Sequence, residues 1–160
     1  MGTYAVQLAR HFGAEVTAVC STANVDLVMS LGAHHVIDYT QEDFTKSGKT
    51  YDIIFDTVGK SSFRRCKGSL TKTGSYVSTT GLLNYVWVAW TRLRGGKRVL
   101  TGMSVDKDDA LRFVKSLIES GGLRIVIDSR YTLNEIVDAH RYVDSGRKRG
   151  NVVVTVQPTP

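Results

Sequence analysis

The residues best able to do chemistry in this chain are small and hydroxylic, and they fall at one repeated place, directly after or at the end of apolar runs. Ser21 and Thr22 follow VTAVC, Tyr39 ends HVIDY with Thr40 after it, and Val58 and Gly59 end YDIIFDTVG. Thr79, Thr80 and Gly81 follow SYVS, and Met103 and Ser104 lie in RVLTGMSV. Hydroxyls and backbone N–H groups gathered in this way suit recognition of a ribose, a phosphate or a carboxamide. No catalytic acid or base is assigned. His11 lies near a helix end, His34 and His35 flank a turn, and His140 sits at helical spacing with Ile136 and Val137, so all four read as structural or surface groups. Cys20 and Cys66 are far apart with no CxxC, which points to neither a disulfide nor a zinc site, and Cys20 reads as a small core residue.

The elements that must position these residues alternate. Ala5, Leu8, Ala9 and Phe12 have helical spacing, with Gly13 placed for a left-handed cap. The apolar run from Val16 to Cys20 predicts a strand buried on both faces of a parallel sheet. Asn24 is expected to cap a helix that stops at Gly32, and HVIDY is a short strand. Residues 41 to 49 read as partly helical, Tyr51 to Val58 as the clearest strand, and Ser61 to Leu70 as a helix turned off by Lys72, Thr73 and Gly74. Strands are predicted from Ser75 to Thr80 and from Arg98 to Val105, the latter interrupted by Gly102. The aromatic stretch Leu82 to Leu93 suits a helix lying on the sheet or an interface segment. Residues 108 to 120 predict an amphipathic helix ended by Gly121 and Gly122. Arg124 to Ser129 predicts a strand, Thr132 with Glu135 a capping box, and Asn151 to Val156 a final strand. Such alternation predicts an α/β fold with a mainly parallel, doubly wound, Rossmann-like sheet.

Composition narrows the function classes. The chain has 160 residues, enough for one domain with a real core, and apolar and charged residues make up 42% and 22% of it, as in ordinary globular proteins. The net charge of +6 invites a nucleic-acid reading, but the basic residues are scattered, and the runs RLRGGKR and RKR read as solvated loops. No nucleic-acid partner is expected. The segment Leu82 to Trp90 is too short to span a bilayer, and the N-terminus lacks a basic region followed by an apolar core. A cytoplasmic location, or an organelle matrix, is the expectation.

In an open parallel sheet, ligands bind beyond the carboxyl ends of the strands, where the hydroxyl residues fall. A site preferring NAD presents an acidic residue at the end of the second strand of the nucleotide-binding unit. Here that place reads Cys20-Ser21-Thr22, with no carboxylate to repel a 2′-phosphate, so NADP(H) is expected and NAD(H) is the weaker alternative.

The motifs GTYAVQLARHFGAEVTAVCS, LVMSLGAHHVIDYT, YDIIFDTVG and SGRKRGNVVVTV, in this order and spacing, resemble the medium-chain dehydrogenase/reductase superfamily, in particular its zinc-independent quinone oxidoreductase branch. The likeness covers nearly the whole chain. It implies an NADPH-dependent oxidoreductase that delivers hydride to a quinone or an activated alkene, with no metal. Family members carry a GroES-like catalytic domain, the first Rossmann strand and a glycine loop before the region seen here. Gly2 matches the last loop glycine, and Thr3 the start of the helix that follows.

Carried over, the resemblance sets Ser21, Thr22 and Tyr39 at the adenosine ribose and its 2′-phosphate, and Val58 and Gly59 along the cofactor. It sets Thr80, Gly81, Met103 and Ser104 toward the nicotinamide end. Relatives often place a lysine shortly after the serine, where this chain reads ANVDLVM, and a basic residue where Asn151 stands. The expected organisation is a truncated Rossmann domain over residues 1–122, a strand-helix-strand over 123–157 that in relatives returns to the catalytic domain, and a tail over 158–160. With the usual order 3-2-1-4-5-6, loss of the first strand leaves the strands at Val16 to Cys20 and Tyr51 to Val58 each with an unpaired edge. They then close on each other, receive a strand from another chain, or belong to a fragment that folds poorly alone. Reduced or absent activity by itself is expected, with homo-oligomerisation or a complementing N-terminal domain as the remedy. The competing readings are a non-catalytic nucleotide-binding or dimerisation module and a fragment of a zinc-dependent alcohol dehydrogenase.

Overall fold

The computed structural model describes residues 1–79, 87–91, 95–101 and 107–156. Helix α1 spans Gly2–His11, and the chain turns at Gly13, whose φ of +77° is open to glycine at no steric cost. Strand β1 (Thr17–Cys20) leads through a 3-10 turn at Thr22–Asn24 into α2 (Val25–Ser30), and β2 (His35–Asp38) runs parallel to β1. Asn24 precedes α2, as expected, but its amide nitrogen donates to Ser21 Oγ rather than its oxygen capping the helix. Val6 of α1 packs with Val16, Ala18, Val28, Leu31 and Ala33 into one core.

Strand β3 (Tyr51–Asp56), helix α3 (Phe63–Cys66) and strand β4 (Leu70–Ser78) follow, with a 3-10 turn at Lys67–Ser69 between the last two. Residues 87–91 are helical (α4), and β5 (Arg98–Thr101) completes a parallel sheet in the order β3-β4-β5. Phe63, Cys66, Leu70, Tyr76 and Val99 form its core. Two expectations need correction here. Lys72, Thr73 and Gly74 do not end a helix but lie inside β4, and Gly74 is small because a Cβ there would meet the Tyr51 carbonyl oxygen at 3.0 Å. The helix expected over Ser61 to Leu70 is correspondingly a single short turn.

Helix α5 (Lys107–Glu119) ends before Gly121, and β6 (Ile127–Thr132), α6 (Ile136–Asp144) and β7 (Asn151–Thr155) form a third parallel unit. Strand β6 begins later than the apolar pattern RIVIDS suggests, whereas the capping box of Thr132 and Glu135 is present. Gln7 of α1 ties this unit to the rest: its amide donates to the Arg124 carbonyl at 3.0 Å and accepts from the Arg124 N–H at 2.7 Å.

The parallel strands thus fall in three separate sheets among the described residues. Strands β1 and β3 each keep one unpaired edge, so they do not close on each other, the first of the compensations expected. The faces beside those edges are open: Val19 is 44% exposed, Ile53 66% and Phe55 46%. Strand β1 is therefore buried on one face only. Residues 157–160 lie outside the described part.

Candidate functional site

At the end of the β1–β2 sheet the expected hydroxyl residues come together. The Tyr39 N–H donates to the Cys20 carbonyl at 2.9 Å, which holds the two strand ends side by side. Thr22 Oγ1 donates to Asp38 Oδ2 and lies 3.1 Å from Thr40 Oγ1. Asp38 Oδ1 accepts from the Thr40 N–H at 2.9 Å and the Thr40 hydroxyl at 2.7 Å. The hydrogen bond from Thr22, reinforced by those from Thr40, holds the Asp38 carboxyl below the usual range. This corrects the premise that no carboxylate stands near Ser21 and Thr22. Asp38 was missed because the signal, an Asp at the last position of HVID before two hydroxylic residues, reads only as the end of a strand.

At the end of β3 the chain turns through residues 57–61 on a single carboxylate. Asp56 Oδ1 accepts from the Val58 N–H at 3.1 Å and the Gly59 N–H at 2.7 Å, and Oδ2 accepts from the Ser61 N–H at 2.9 Å and the Tyr76 hydroxyl at 3.1 Å. Partial burial pushes the Asp56 carboxyl up, but those hydrogen bonds outweigh it and hold the group below its ordinary value. Burial and the Asp56 charge push the Tyr76 hydroxyl strongly up, so it stays a protonated donor. Gly59 takes φ +76°, and Val58 is exposed. The loop expected to line a cofactor is thus held from beneath by Asp56.

The start of α1 adjoins this loop, since a Cβ on Gly2 would lie 3.6 Å from Thr57 Oγ1. The helix has no side-chain cap and no acidic residue in its first turn. Asn151, expected at the cofactor, directs its amide nitrogen to the Tyr4 hydroxyl at 2.7 Å and the Val126 carbonyl at 3.0 Å. It joins the first turn of α1 to the residue just ahead of β6. The structure therefore brings Ser21, Thr22 and Tyr39 together at one strand end, and Gly2, Val58 and Gly59 near another. Thr80, Gly81, Met103 and Ser104 lie outside the described residues.

Among the described residues no group of three or more His, Cys, Asp or Glu side chains could hold a metal ion. Burial pushes both the Cys20 and Cys66 thiols up, so neither is a ready thiolate.

A family model described as zinc-binding dehydrogenase matches residues 31–154. The chain is 35% identical to the chloroplastic quinone-oxidoreductase QR1 of Triphysaria versicolor, over 96% of this chain and 49% of that protein. It is 31% identical to the chloroplastic NADPH-dependent alkenal/one oxidoreductase of Arabidopsis thaliana, over 96% of this chain and 37% of that one. Among solved structures, the quinone oxidoreductase from Coxiella burnetii superposes with a TM-score of 0.83 at 27% identity, covering 96% of this chain and 49% of its own. The chain spans about half the length, or less, of the curated relatives it matches.

Proposed function

The chain belongs to the medium-chain dehydrogenase/reductase superfamily as a quinone-oxidoreductase-like oxidoreductase, and from that premise we propose that it is the dinucleotide-binding half of an NADPH-dependent, zinc-independent reductase of quinones or activated alkenes. The reading rests chiefly on one observation: Ser21, Thr22 and Tyr39 meet at the carboxyl end of β1 and β2, the edge where a parallel sheet binds its ligand. When bound, the cofactor would supply hydride for the reduction. The N–H groups of Gly2 and Thr3 would hold its pyrophosphate, and Ser21, Thr22 and Tyr39 the adenosine ribose with its 2′-phosphate. Val58 and Gly59, steadied by Asp56, would line its path, with Thr80, Gly81, Met103 and Ser104 toward the reacting end. NADPH remains the proposed partner over NADH because the Asp38 carboxylate is already engaged by Thr22 and Thr40.

Residues 123–157 are assigned to packing against a catalytic domain or a second copy, which agrees with the exposure of Ile125, Leu133 and Val137. Activity of the chain alone is expected to be low, and the proposed compartment is the cytoplasm or an organelle matrix. No helix among the described residues is long and apolar enough to cross a membrane.

Isothermal titration with NADPH, then NADH, tests the reading. Saturable heat with NADPH is expected, and its absence defeats cofactor binding by this chain. Binding without oxidation of NADPH by a simple quinone or enone, even after a catalytic domain is supplied, favours the non-catalytic module.

A further inference from the structure

A cavity lies away from the edge just described. A cleft of about 430 Å³ opens between α3 and α4, lined by Phe63, Arg64, Lys67, Trp87 and Trp90. Its volume lies within the range of small-molecule sites. A smaller extension continues past Thr91 and Gly95 to Lys97. Lys67 stands just ahead of β4 and Lys97 just ahead of β5, so the cleft opens where the strands begin, at the opposite end of the sheet from Val58 and Gly59.

Its chemistry has two parts. The floor is aromatic: Phe63 and Trp87 have ring centres 5.4 Å apart, and Trp87 and Trp90 5.5 Å apart and almost perpendicular. Such a set of tilted rings presents both faces and edges to a flat guest. The rim is cationic. Lys67 Nζ lies 5.8 Å from the centre of the Trp90 ring, and Lys97 Nζ donates to the Lys67 carbonyl at 2.6 Å. Arg65 is paired with Asp43, but among the described residues no ion pair engages Arg64, Lys67 or Lys97, and no acidic side chain lines the cleft. Three cations of one sign over an apolar floor attract an anion that brings its own flat apolar surface.

We propose that this cleft binds a planar aromatic carboxylate, with its ring against Phe63, Trp87 and Trp90 and its charge between Arg64 and Lys67, at a site separate from the dinucleotide edge. A guest lacking the ring would leave the accessible parts of Trp87 and Trp90 in water, and one lacking the charge would leave the cations unused.

The chain's only two tryptophans are both in this cleft, which makes them a local probe. The full chain is labelled with fluorotryptophan and titrated with 2-naphthoate and, separately, with the neutral 2-naphthalenemethanol, reading the two fluorine resonances. Both resonances are expected to move saturably with naphthoate, at about tenfold tighter affinity than with the alcohol. Arg64→Glu and Lys67→Glu alter exposed side chains, so the fold is retained. Each is expected to weaken naphthoate about tenfold and leave the alcohol unchanged. NADPH is expected to leave the naphthoate titration unaltered, whether or not it binds elsewhere. Equal response to the two compounds, no response to either, insensitivity to both charge reversals, or displacement by NADPH would each overturn the proposal.

Discussion

The hydroxyl of Tyr76, on a side chain with no exposed surface, donates to the Asp56 carboxylate at 3.1 Å from the neighbouring strand. That bond joins the core under α3 to the loop after β3. Tyr76→Phe keeps the ring beside Phe63 and removes one of the four donors on Asp56. The expected cost is about 1–2 kcal/mol in urea unfolding, and Asp56→Ala, which strands all four donors, costs about 2–3 kcal/mol. If Tyr76→Phe is neutral, the loop is not held from the core.

The same carboxylate sets a pH dependence. Its folded value lies below its unfolded one, so its contribution to stability is fully present above about pH 3.9 and is lost as pH falls through the lower folded value. Stability measured by denaturant across this acid range should fall more steeply for the natural chain than for Asp56→Asn. Parallel curves would show that the carboxylate adds nothing.

Asp38 places one negative charge on the hydroxyl that is assigned to the ribose end, that of Thr22. Asp38→Asn keeps an acceptor for Thr22 and Thr40 but removes the charge. NADPH affinity should rise about threefold to tenfold, with NADH changed less than about twofold, as expected for one partly screened charge. Titration calorimetry at low and high salt reads the ratio and its screening.

Gly150, just ahead of β7, lies close against Val126, just ahead of β6. A Cβ there would sit 2.5 Å from the Val126 carbonyl oxygen, the acceptor of the Asn151 N–H. Gly150→Ala should cost about 2–3 kcal/mol and raise amide exchange along Asn151–Thr155. Unchanged exchange would mean the strand shifts without losing its pairing.

The open face of β3 predicts self-association. Ile53→Lys and Phe55→Lys charge that face without touching the half-buried Ile54 side of the strand. Both should lower the sedimentation-average mass at a given concentration while leaving the circular dichroism spectrum unchanged. A natural chain that already sediments as a monomer at high concentration would remove this expectation.

Much of the local structure was legible in the sequence. The alternation of apolar runs with helical spacing, the glycines at 13, 32 and 121, and the capping box of Thr132 and Glu135 predict elements that the chain forms. Burial periodicity and terminal caps act over a few residues, so they leave their mark in adjacent positions. The hydroxyl residues at strand ends were readable for the same reason.

What tertiary structure decided is pairing at a distance. The polar run Thr71 to Gly74 lies within β4 as an irregularity between the Tyr51–Leu70 and Ile53–Ser75 pairs, which its own pattern does not announce. Asp38 meets Thr22, Asp56 meets Tyr76 and Gln7 meets Arg124 only once registers and helix docking are set. The division of the described strands into three sheets, with one edge each of β1 and β3 unpaired, is likewise a matter of which backbone groups find partners. A hydrogen bond depends on position in space to a few tenths of an ångström, and residue order carries that information only through the whole fold.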